Sequence, residues 1–364
     1  MKKSIGFTFL AALIFAACTP TPKSYTVTGV VPDASYNFQM VFMYDYETRK
    51  NTDSIFVVDG KFTFTGSVDA PVIRRLVLNR LNVDFILENG EISIDMSNPR
   101  TITGTPLNNE LTRFNAEIEA KDKTATEKIA AIQHLDEASR QEQFDEIREQ
   151  YFANLEQLFT NYVTANRNNA LGAFIMWNVG RTISMQNPNL VESLYEQAGD
   201  VVRNFQPLQV IIEANANRRR TAEGMPFVDF TIENGNIDGS SVSLSDFVGR
   251  GKYVLVDFWA SWCGPCIAEK PNLIEVYNTH AGDNFAMVGV AVWDNREATL
   301  RAIREHNIPW TQIIDAHNIP TDLYGISGIP QIMLFAPDGR IIARNLRGSA
   351  LRAKVAEALE PCDC

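Results

Sequence analysis

The sequence predicts a multidomain protein with three successive regions of different architecture: an N-terminal antiparallel β domain, an α-helical spacer and a C-terminal α/β domain. Three patterns support this prediction. Apolar and polar residues alternate over 25–105, apolar residues follow helical spacing over 106–220, and strand and helix patterns alternate from residue 225 onward. A chain of 364 residues, 45% of them hydrophobic, is long enough for two or three hydrophobic cores.

The first 24 residues have the features of a lipoprotein leader. Lys2 and Lys3 precede an apolar stretch at 5–17, which is shorter than the roughly 20 residues that span a bilayer and is typical of a signal peptide at 1–17. Small residues come before Cys18, so we expect cleavage there, acylation of Cys18 and a tether at 18–24. Ordinary cleavage that leaves Cys18 as a free thiol is the alternative. No Asp follows Cys18, which favours the outer membrane over the inner one in a lipid-anchored, periplasm-facing protein.

The net charge excludes some classes of partner. The formal charge is −11, and removal of Lys2 and Lys3 with the signal peptide lowers it to −13. A protein of this sign is repelled by nucleic acid and by anionic lipid surfaces, so we expect no nucleic-acid partner. The chain has only five cysteines, which means that disulfides do not hold the fold together.

Residues 25–105 are predicted to form an antiparallel β domain of unknown function. Residues of alternating polarity occur at 25–30, 61–65 and 91–95, with turn signals at Val58-Asp59-Gly60 and Glu88-Asn89-Gly90. This is the pattern of strands that bury one face and expose the other.

Residues 106–220 are predicted to be helical. Apolar side chains recur every three or four positions, and we interpret them as packing stripes without a role in ligand binding. They are Leu111, Phe114, Ile118, Ile129, Ile132, Leu135, Phe144, Ile147, Tyr151, Leu155, Leu158 and Tyr162. The run Arg218-Arg219-Arg220 marks the joint to the next domain, and we interpret it as a solvated helix end whose charge offsets the helix dipole.

The main chemical signal is a pair of cysteines, Cys263 and Cys266, at a strand-to-helix junction. The apolar run 253–258 predicts a buried parallel strand, and 267–277 has helical spacing. Cys263 is therefore expected at a helix N-terminus, where unpaired N–H groups and the helix dipole stabilise the reactive thiolate. We expect Cys263 to be exposed and Cys266 to be buried.

A pair of this spacing has two other interpretations, a structural disulfide and half of a zinc site. Zinc needs further ligands, but there is no second such pair and the histidines are scattered, so we expect no metal and no cofactor. The histidines are His134, His280, His306 and His317. Tryptophans at 259 and 262, proline between the cysteines and an acid in the preceding strand disfavour a merely structural bridge.

The run VDFWASWCGPC at 256–266, followed by Gly328-Ile329-Pro330 and the apolar strand 331–335, resembles thioredoxin. The resemblance implies an α/β thioredoxin fold over 225–364 and a cis bond before Pro330. The strand-like segments before the cysteines and an insert at 295–314 resemble the TlpA/ResA branch, whose members are membrane-tethered thiol-disulfide oxidoreductases. The layout of the chain resembles lipoproteins in which a β domain of unknown function and a helical spacer precede such a domain.

The resemblance also implies roles for individual residues. Cys263 would attack a substrate disulfide and Cys266 would resolve the mixed disulfide, while the buried Asp257 would take the proton of Cys266, through water. A carboxyl hydrogen-bonded at a strand end is the alternative for Asp257. The residues expected to dock a peptide substrate are Trp262, Gly264, Pro265, Ile329 and Pro330.

The expected function is that of a membrane-anchored thiol-disulfide oxidoreductase of the cell envelope, which reduces protein disulfides. Gly264-Pro265 is the pair of general thioredoxins, so a specialised cytochrome-maturation role is not indicated. Peroxiredoxins share the fold, but their reactive cysteine follows a threonine where this chain has Ala260.

Three partners follow from the expected function: disulfide-containing envelope proteins, a transmembrane thiol electron donor of the DsbD or CcdA type, and the membrane through the lipid anchor. The alternative is a binding or sensing lipoprotein in which the β and helical domains recognise a ligand. Cys362 and Cys364 end the chain as a Cys-x-Cys pair, which we interpret as part of an unstructured tail.

Overall fold

The structure, a computed structural model, describes residues 22–360. The expected signal peptide at 1–17, the lipidation site Cys18 and the tail cysteines Cys362 and Cys364 lie outside the described residues. The described chain divides into two compact units, residues 22–183 with 193–205 and residues 184–192 with 206–360. Within this part of the chain, no helix is both long and apolar enough to cross a membrane.

The first unit contains two four-stranded sheets. Its strands are β1 (Tyr25–Val30), β2 (Met40–Asp45), β3 (Lys50–Phe56), β4 (Lys61–Gly66), β5 (Val72–Leu78), β6 (Leu81–Leu87), β7 (Gly90–Asp95) and β8 (Ile102–Thr103). The strand orders are β4-β1-β7-β8 and β3-β2-β5-β6. The expectation of a wholly antiparallel domain is wrong at one ladder, because β1 runs parallel to β7. All four strands of the other sheet come between β1 and β7 in the chain. No hairpin turn therefore joins β1 to β7, and nothing local requires them to be antiparallel.

Seven helices follow the sheets. They are α1 (Pro106–Ala131), α2 (Glu137–Ala165), α3 (Ala170–Asn178), α4 (Gly180–Gln186), α5 (Pro188–Glu196), α6 (Asp200–Arg203) and α7 (Gln206–Arg220). Helices α1 and α2 form an antiparallel hairpin, in which the Tyr151 hydroxyl donates to Asp122 at 2.8 Å. The predicted stripes are buried at Leu111, Phe114, Ile132, Leu155 and Leu158, whereas Phe144 is exposed.

The second unit contains a five-stranded sheet flanked by helices. Its elements are β9 (Thr231–Ile232), β10 (Val242–Ser243), β11 (Tyr253–Trp259), α8 (Gly264–His280), β12 (Phe285–Ala291), α9 (Arg296–Glu305), β13 (Thr311–Ile313), α10 (Ile319–Leu323), β14 (Gln331–Phe335), β15 (Ile341–Ala343) and α11 (Gly348–Leu359). The sheet has the order β13-β12-β11-β14-β15. Strands β11, β12 and β13 are parallel, and β14 is antiparallel to β11. The predicted thioredoxin fold of the C-terminal region is confirmed.

Alternate residues of β11 belong to two different hydrophobic cores. Val256 and Phe258 lie in the core that includes β9 and β10. Leu255 and Trp259 lie in the other core, together with apolar residues of α8 and α11. Asp257 falls between Val256 and Phe258 in sequence, so its side chain points to the α8 face of the sheet.

The arginines at the end of α7 make specific contacts, although Arg219 and Arg220 are exposed, as expected of a solvated helix end, and Arg218 is half-buried. The Arg218 guanidinium donates to the carbonyl oxygen of Gly325, and Arg219 forms an ion pair with Glu192. Nearby, Arg344 donates to the carbonyl oxygen of Tyr324 at 2.8 Å. Burial, followed by the neighbouring charge of Arg218, lowers the pKa of Arg344 to about 10. This end of α7 is therefore bound to the α/β fold.

Candidate active site

The cysteine pair lies where the central strand of the sheet leads into a helix. Strand β11 ends at Trp259, and α8 begins at Gly264 with Cys263 as its N-cap residue. The Sγ atom of Cys263 accepts a hydrogen bond from the backbone N–H of Cys266, and this N···S distance is 3.2 Å. Pro265 fits the first turn because the N–H that it lacks would have no partner there. The helix N-terminus thus provides a donor to the sulfur that was expected to be the nucleophile.

The two cysteines form a disulfide, with an S–S distance of 2.01 Å and a Cα–Cα distance of 5.2 Å. Cys266 is 1% exposed, as expected. Cys263 is only 4% exposed, so the expectation of an exposed Cys263 is wrong for the disulfide form. The physical reason is that Cys263 packs into the same apolar cluster as Trp259 and Leu273, with Ile329 against that cluster.

Trp262 supplies the exposed apolar surface beside the disulfide. Its side chain is 62% exposed, although its indole N–H donates to the carbonyl oxygen of Trp293 at 3.0 Å. Gly264 and Pro265 are exposed as well. An exposed ring that is fixed by a hydrogen bond is suited to contact another molecule, because little side-chain freedom is lost on binding.

The second predicted motif joins the first at the same cluster. The Ile329-Pro330 peptide bond is cis, as predicted. Pro330 is buried, and half-buried Ile329 packs against the cluster that contains both cysteines. Motifs that are 64 residues apart in the sequence therefore meet at one site.

Two contacts that sequence reasoning missed tie the Pro330 loop to α8. The Arg347 guanidinium donates to the carbonyl oxygen of Pro330 at 2.6 Å. The backbone N–H of Gly348, at the start of α11, donates to the Glu269 carboxylate at 2.7 Å. No local pattern in the sequence indicated these contacts, because they depend on where α11 starts relative to α8.

Asp294 was also missed, although the sequence contained a signal for it. Its carboxylate accepts a hydrogen bond from the backbone N–H of Ser261 at 2.7 Å, which holds the loop before Cys263. Asp294 follows the end of β12, and β12 is the parallel neighbour of β11. The carboxyl ends of parallel strands meet at one edge of a sheet, so a polar residue there is close to the residues that follow β11.

A buried ion pair connects β11 to α8. Asp257 and Lys270 are 1% and 2% exposed, and the Lys270 ammonium donates to Asp257 Oδ2 at 2.6 Å. The same ammonium is 4.0 Å from the ring centroid of Trp259. The other carboxylate oxygen, Asp257 Oδ1, is buried and has no hydrogen-bond partner among residues 22–360. The carboxyl group that was expected to be a proton acceptor thus has one oxygen occupied and the other available.

Lys270 was not singled out from the sequence, although the spacing of the apolar residues in α8 could have predicted that it is buried. The buried residues of α8 are Cys266, Lys270, Leu273 and Val276, which recur at helical spacing. A lysine in an apolar stripe requires a buried partner, and the acid in the apolar strand β11 is such a partner.

Within residues 22–360, no group of three or more His, Cys, Asp or Glu side chains is arranged to hold a metal ion.

Comparisons with known proteins relate the two ends of the chain to different families. Residues 224–344 match the sequence profile of the AhpC/TSA family, and residues 25–111 match that of a domain of unknown function, DUF4369. Thiol-disulfide oxidoreductase ResA of Bacillus subtilis (strain 168) is 27% identical over 127 residues, which are 35% of this chain and 69% of that protein. The thiol:disulfide interchange protein HelX of Rhodobacter capsulatus is 31% identical over 112 residues, 30% of this chain and 61% of that protein.

Among solved structures, the chain is similar to the thioredoxin domain of a thiol-disulfide oxidoreductase from Bacteroides vulgatus. The sequence identity is 35%, and the match covers 37% of this chain and 96% of that chain with a TM-score of 0.34.

Proposed function

Since the C-terminal domain is a thioredoxin-like thiol-disulfide oxidoreductase domain of the TlpA/ResA family, we propose that this chain reduces protein disulfides through Cys263 and Cys266. The observation that carries the proposal is the disulfide at the N-terminus of α8, with Cys263 as the N-cap residue. The comparisons do not favour the alternative of a binding or sensing lipoprotein.

The reaction proceeds in two exchange steps. With the pair reduced, the Cys263 thiolate attacks a sulfur of the substrate disulfide, because the N–H groups of α8 stabilise its charge. Cys266 then loses its proton and attacks Cys263, which breaks the mixed disulfide and releases the reduced substrate. Asp257 accepts the proton of Cys266, and the exposed face of Trp262 with the backbone of Ile329 receives the peptide around the substrate disulfide.

The surrounding roles belong to the same proposal. Cys18 carries the lipid anchor after removal of the signal peptide, and the chain faces the periplasm. The substrates are disulfide-containing envelope proteins, and a transmembrane thiol carrier of the DsbD or CcdA type returns electrons to the pair. The domains are a tether at 18–24, a β domain at 25–105, a helical region at 106–220 and a thioredoxin-like domain at 225–364.

Insulin tests the activity directly. We expect catalytic amounts of the full chain, with dithiothreitol as electron donor, to accelerate the reduction of insulin, measured as turbidity from the released B chain. The double variant Cys263→Ser/Cys266→Ser is the control and should leave only the rate of dithiothreitol alone. A wild-type chain that gives no acceleration over this control would contradict the proposed function.

The reduction potential tests the direction of electron flow. Neither Gly264 nor Pro265, the two residues between the cysteines, has a side-chain hydrogen-bond donor that would further stabilise the Cys263 thiolate. We therefore expect a potential near that of thioredoxin, about −270 mV, and far from that of the oxidant DsbA, about −120 mV. Equilibration of the pair in dithiothreitol and glutathione buffers gives this potential. A value above about −180 mV, the potential of protein disulfide isomerase, would assign the chain to oxidation or isomerisation.

A further inference from the structure

The buried pair of Asp257 and Lys270 is costly unless it serves the reaction. Each ion loses its hydration on burial, and a buried ion pair is often no more stable than two apolar side chains of similar volume. The position of Lys270 suggests what it does. Lys270 follows Cys266 by four residues on α8, so the two side chains are neighbours on the same helix face.

The Lys270 ammonium contacts two aromatic rings and one anionic group, the Asp257 carboxylate. The rings of Trp259 and Trp310 lie 4.0 and 5.7 Å from the ammonium, at distances where the ring face attracts a cation. The titratable groups around the pair are Cys263 and Cys266 at the start of α8 and Tyr277, whose ring packs on Trp310. Glu269, the preceding residue, is instead bound to Gly348 at the start of α11.

We propose that Lys270 is a positioning residue for the second exchange step: it holds the Asp257 carboxylate through Oδ2 and leaves Oδ1 available for the proton of Cys266. The inference rests on the proposed dithiol reaction. A carboxylate that is fixed at one oxygen has its second oxygen in a defined direction. Within the part of the chain that the structure describes, Oδ1 is the buried oxygen without a hydrogen-bond partner. The ammonium also offsets the cost of burying the carboxylate, because a buried charge needs a partner.

The step balances in atoms and electrons. The S–H bond of Cys266 breaks, and its proton moves to Asp257 Oδ1, directly or through a water molecule. The Cys266 sulfur forms a bond to Cys263 Sγ, the bond from Cys263 to the substrate breaks, and its electron pair leaves with the substrate sulfur. The cysteine pair is oxidised to a disulfide, and the substrate disulfide is reduced to two thiols. Lys270 keeps its proton throughout.

A small aromatic disulfide separates the two steps. The reduced full chain, with Cys18, Cys362 and Cys364 replaced by serine, is mixed with excess 5,5′-dithiobis(2-nitrobenzoate). Coloured thiolate is released first when Cys263 attacks and again when Cys266 closes the disulfide. The second phase therefore reports the step in which Asp257 accepts the proton, and its rate at pH 7 is compared with that of the first phase.

In Lys270→Met we expect the second phase at pH 7 to slow roughly tenfold while the first phase is unchanged, because the Asp257 carboxylate is no longer held at Oδ2 and Oδ1 loses its fixed direction. Lys270→Gln, a second neutral variant, should show the same slowing, and Lys270→Arg should restore the wild-type rate. Lys354→Met removes a lysine from an exposed pair with Glu357 and should change neither phase.

Asp257→Asn supplies the decisive comparison. If Lys270 acts through this carboxylate, Lys270→Met adds no further slowing of the second phase in the Asp257→Asn background. A wild-type second-phase rate in both neutral variants, or an equal slowing with and without Asp257, would overturn the inference and leave Lys270 a structural residue. Failure of the proposed function is a separate result, because it appears as a wild-type chain that does not reduce insulin.

Discussion

Replacing Cys263 with serine is expected to lower insulin reduction by more than about a hundredfold, because loss of a nucleophile removes most of the catalysis in enzymes of this kind. Serine at the N-cap of α8 still accepts a hydrogen bond from the helix, so folding should change little. The hydroxyl, however, is far less acidic than a thiol and does not attack a disulfide.

Cys266→Ser is expected to fail in a different way. Cys263 still attacks, but no second thiol resolves the product, so the chain accumulates as a mixed disulfide with its substrate. With Cys18, Cys362 and Cys364 replaced by serine, mass spectrometry of the chain after incubation with a disulfide peptide measures this adduct. In that background the adduct should be abundant in Cys266→Ser and absent in Cys263→Ser.

Ala268→Ser is the matched control, since it places a hydroxyl on an exposed position of the same helix. This variant should retain the wild-type rate of insulin reduction, and its mass should be that of the chain without an adduct. An adduct that forms in Cys263→Ser and not in Cys266→Ser would reverse the roles of the two cysteines. The same trapped adducts, collected from an envelope extract, would identify physiological substrates.

The sequence predicted those parts of the site that depend on local patterns. The apolar run before Cys263 and the helical spacing after Cys266 were sufficient to place the pair at a strand-to-helix junction. The position of Pro330 followed from the family resemblance, since its approach to the cysteines is a long-range property of the fold. Its cis bond was implied in the same way.

Features that depend on packing between distant segments were predicted less well. The expectation that Cys263 is exposed came from its N-cap position, but the apolar cluster around Trp259 determines its burial. The parallel ladder between β1 and β7 could not be read from alternation, because alternation gives the buried face of a strand and not its direction. Arg347 reaches Pro330 only because of how α11 begins, and no periodicity in the sequence reports that geometry.

The ion pair of Asp257 and Lys270 could have been predicted from the sequence, but only by considering the strand that contains Asp257 and the helix that contains Lys270 together. An acid in a continuous apolar strand and a lysine in an apolar helical stripe are each unfavourable alone. They become compatible when the strand and the helix pack face to face, as β11 and α8 do in the core that contains the cysteines.

Breaking this pair is expected to destabilise the fold strongly. Asp257→Leu leaves the Lys270 ammonium buried without an anion, and removal of one partner of a buried ion pair costs about 3–5 kcal/mol in free energy of unfolding. Urea denaturation of the oxidised chain, followed by tryptophan fluorescence, measures the loss. In the exposed pair of Lys354 and Glu357, the corresponding single replacement Glu357→Leu should change the free energy of unfolding by less than about 1 kcal/mol.

The double variant Asp257→Leu/Lys270→Met should recover most of the lost stability, because it replaces both charges with apolar side chains of similar size. We expect its free energy of unfolding to lie within about 1 kcal/mol of the wild-type value or above it. A double variant as unstable as the two single variants combined would mean that packing, and not charge pairing, explains the losses. A stable double variant whose second exchange step remains slow would separate the two contributions, since the apolar pair would then support the fold without supplying the proton acceptor that Cys266 requires.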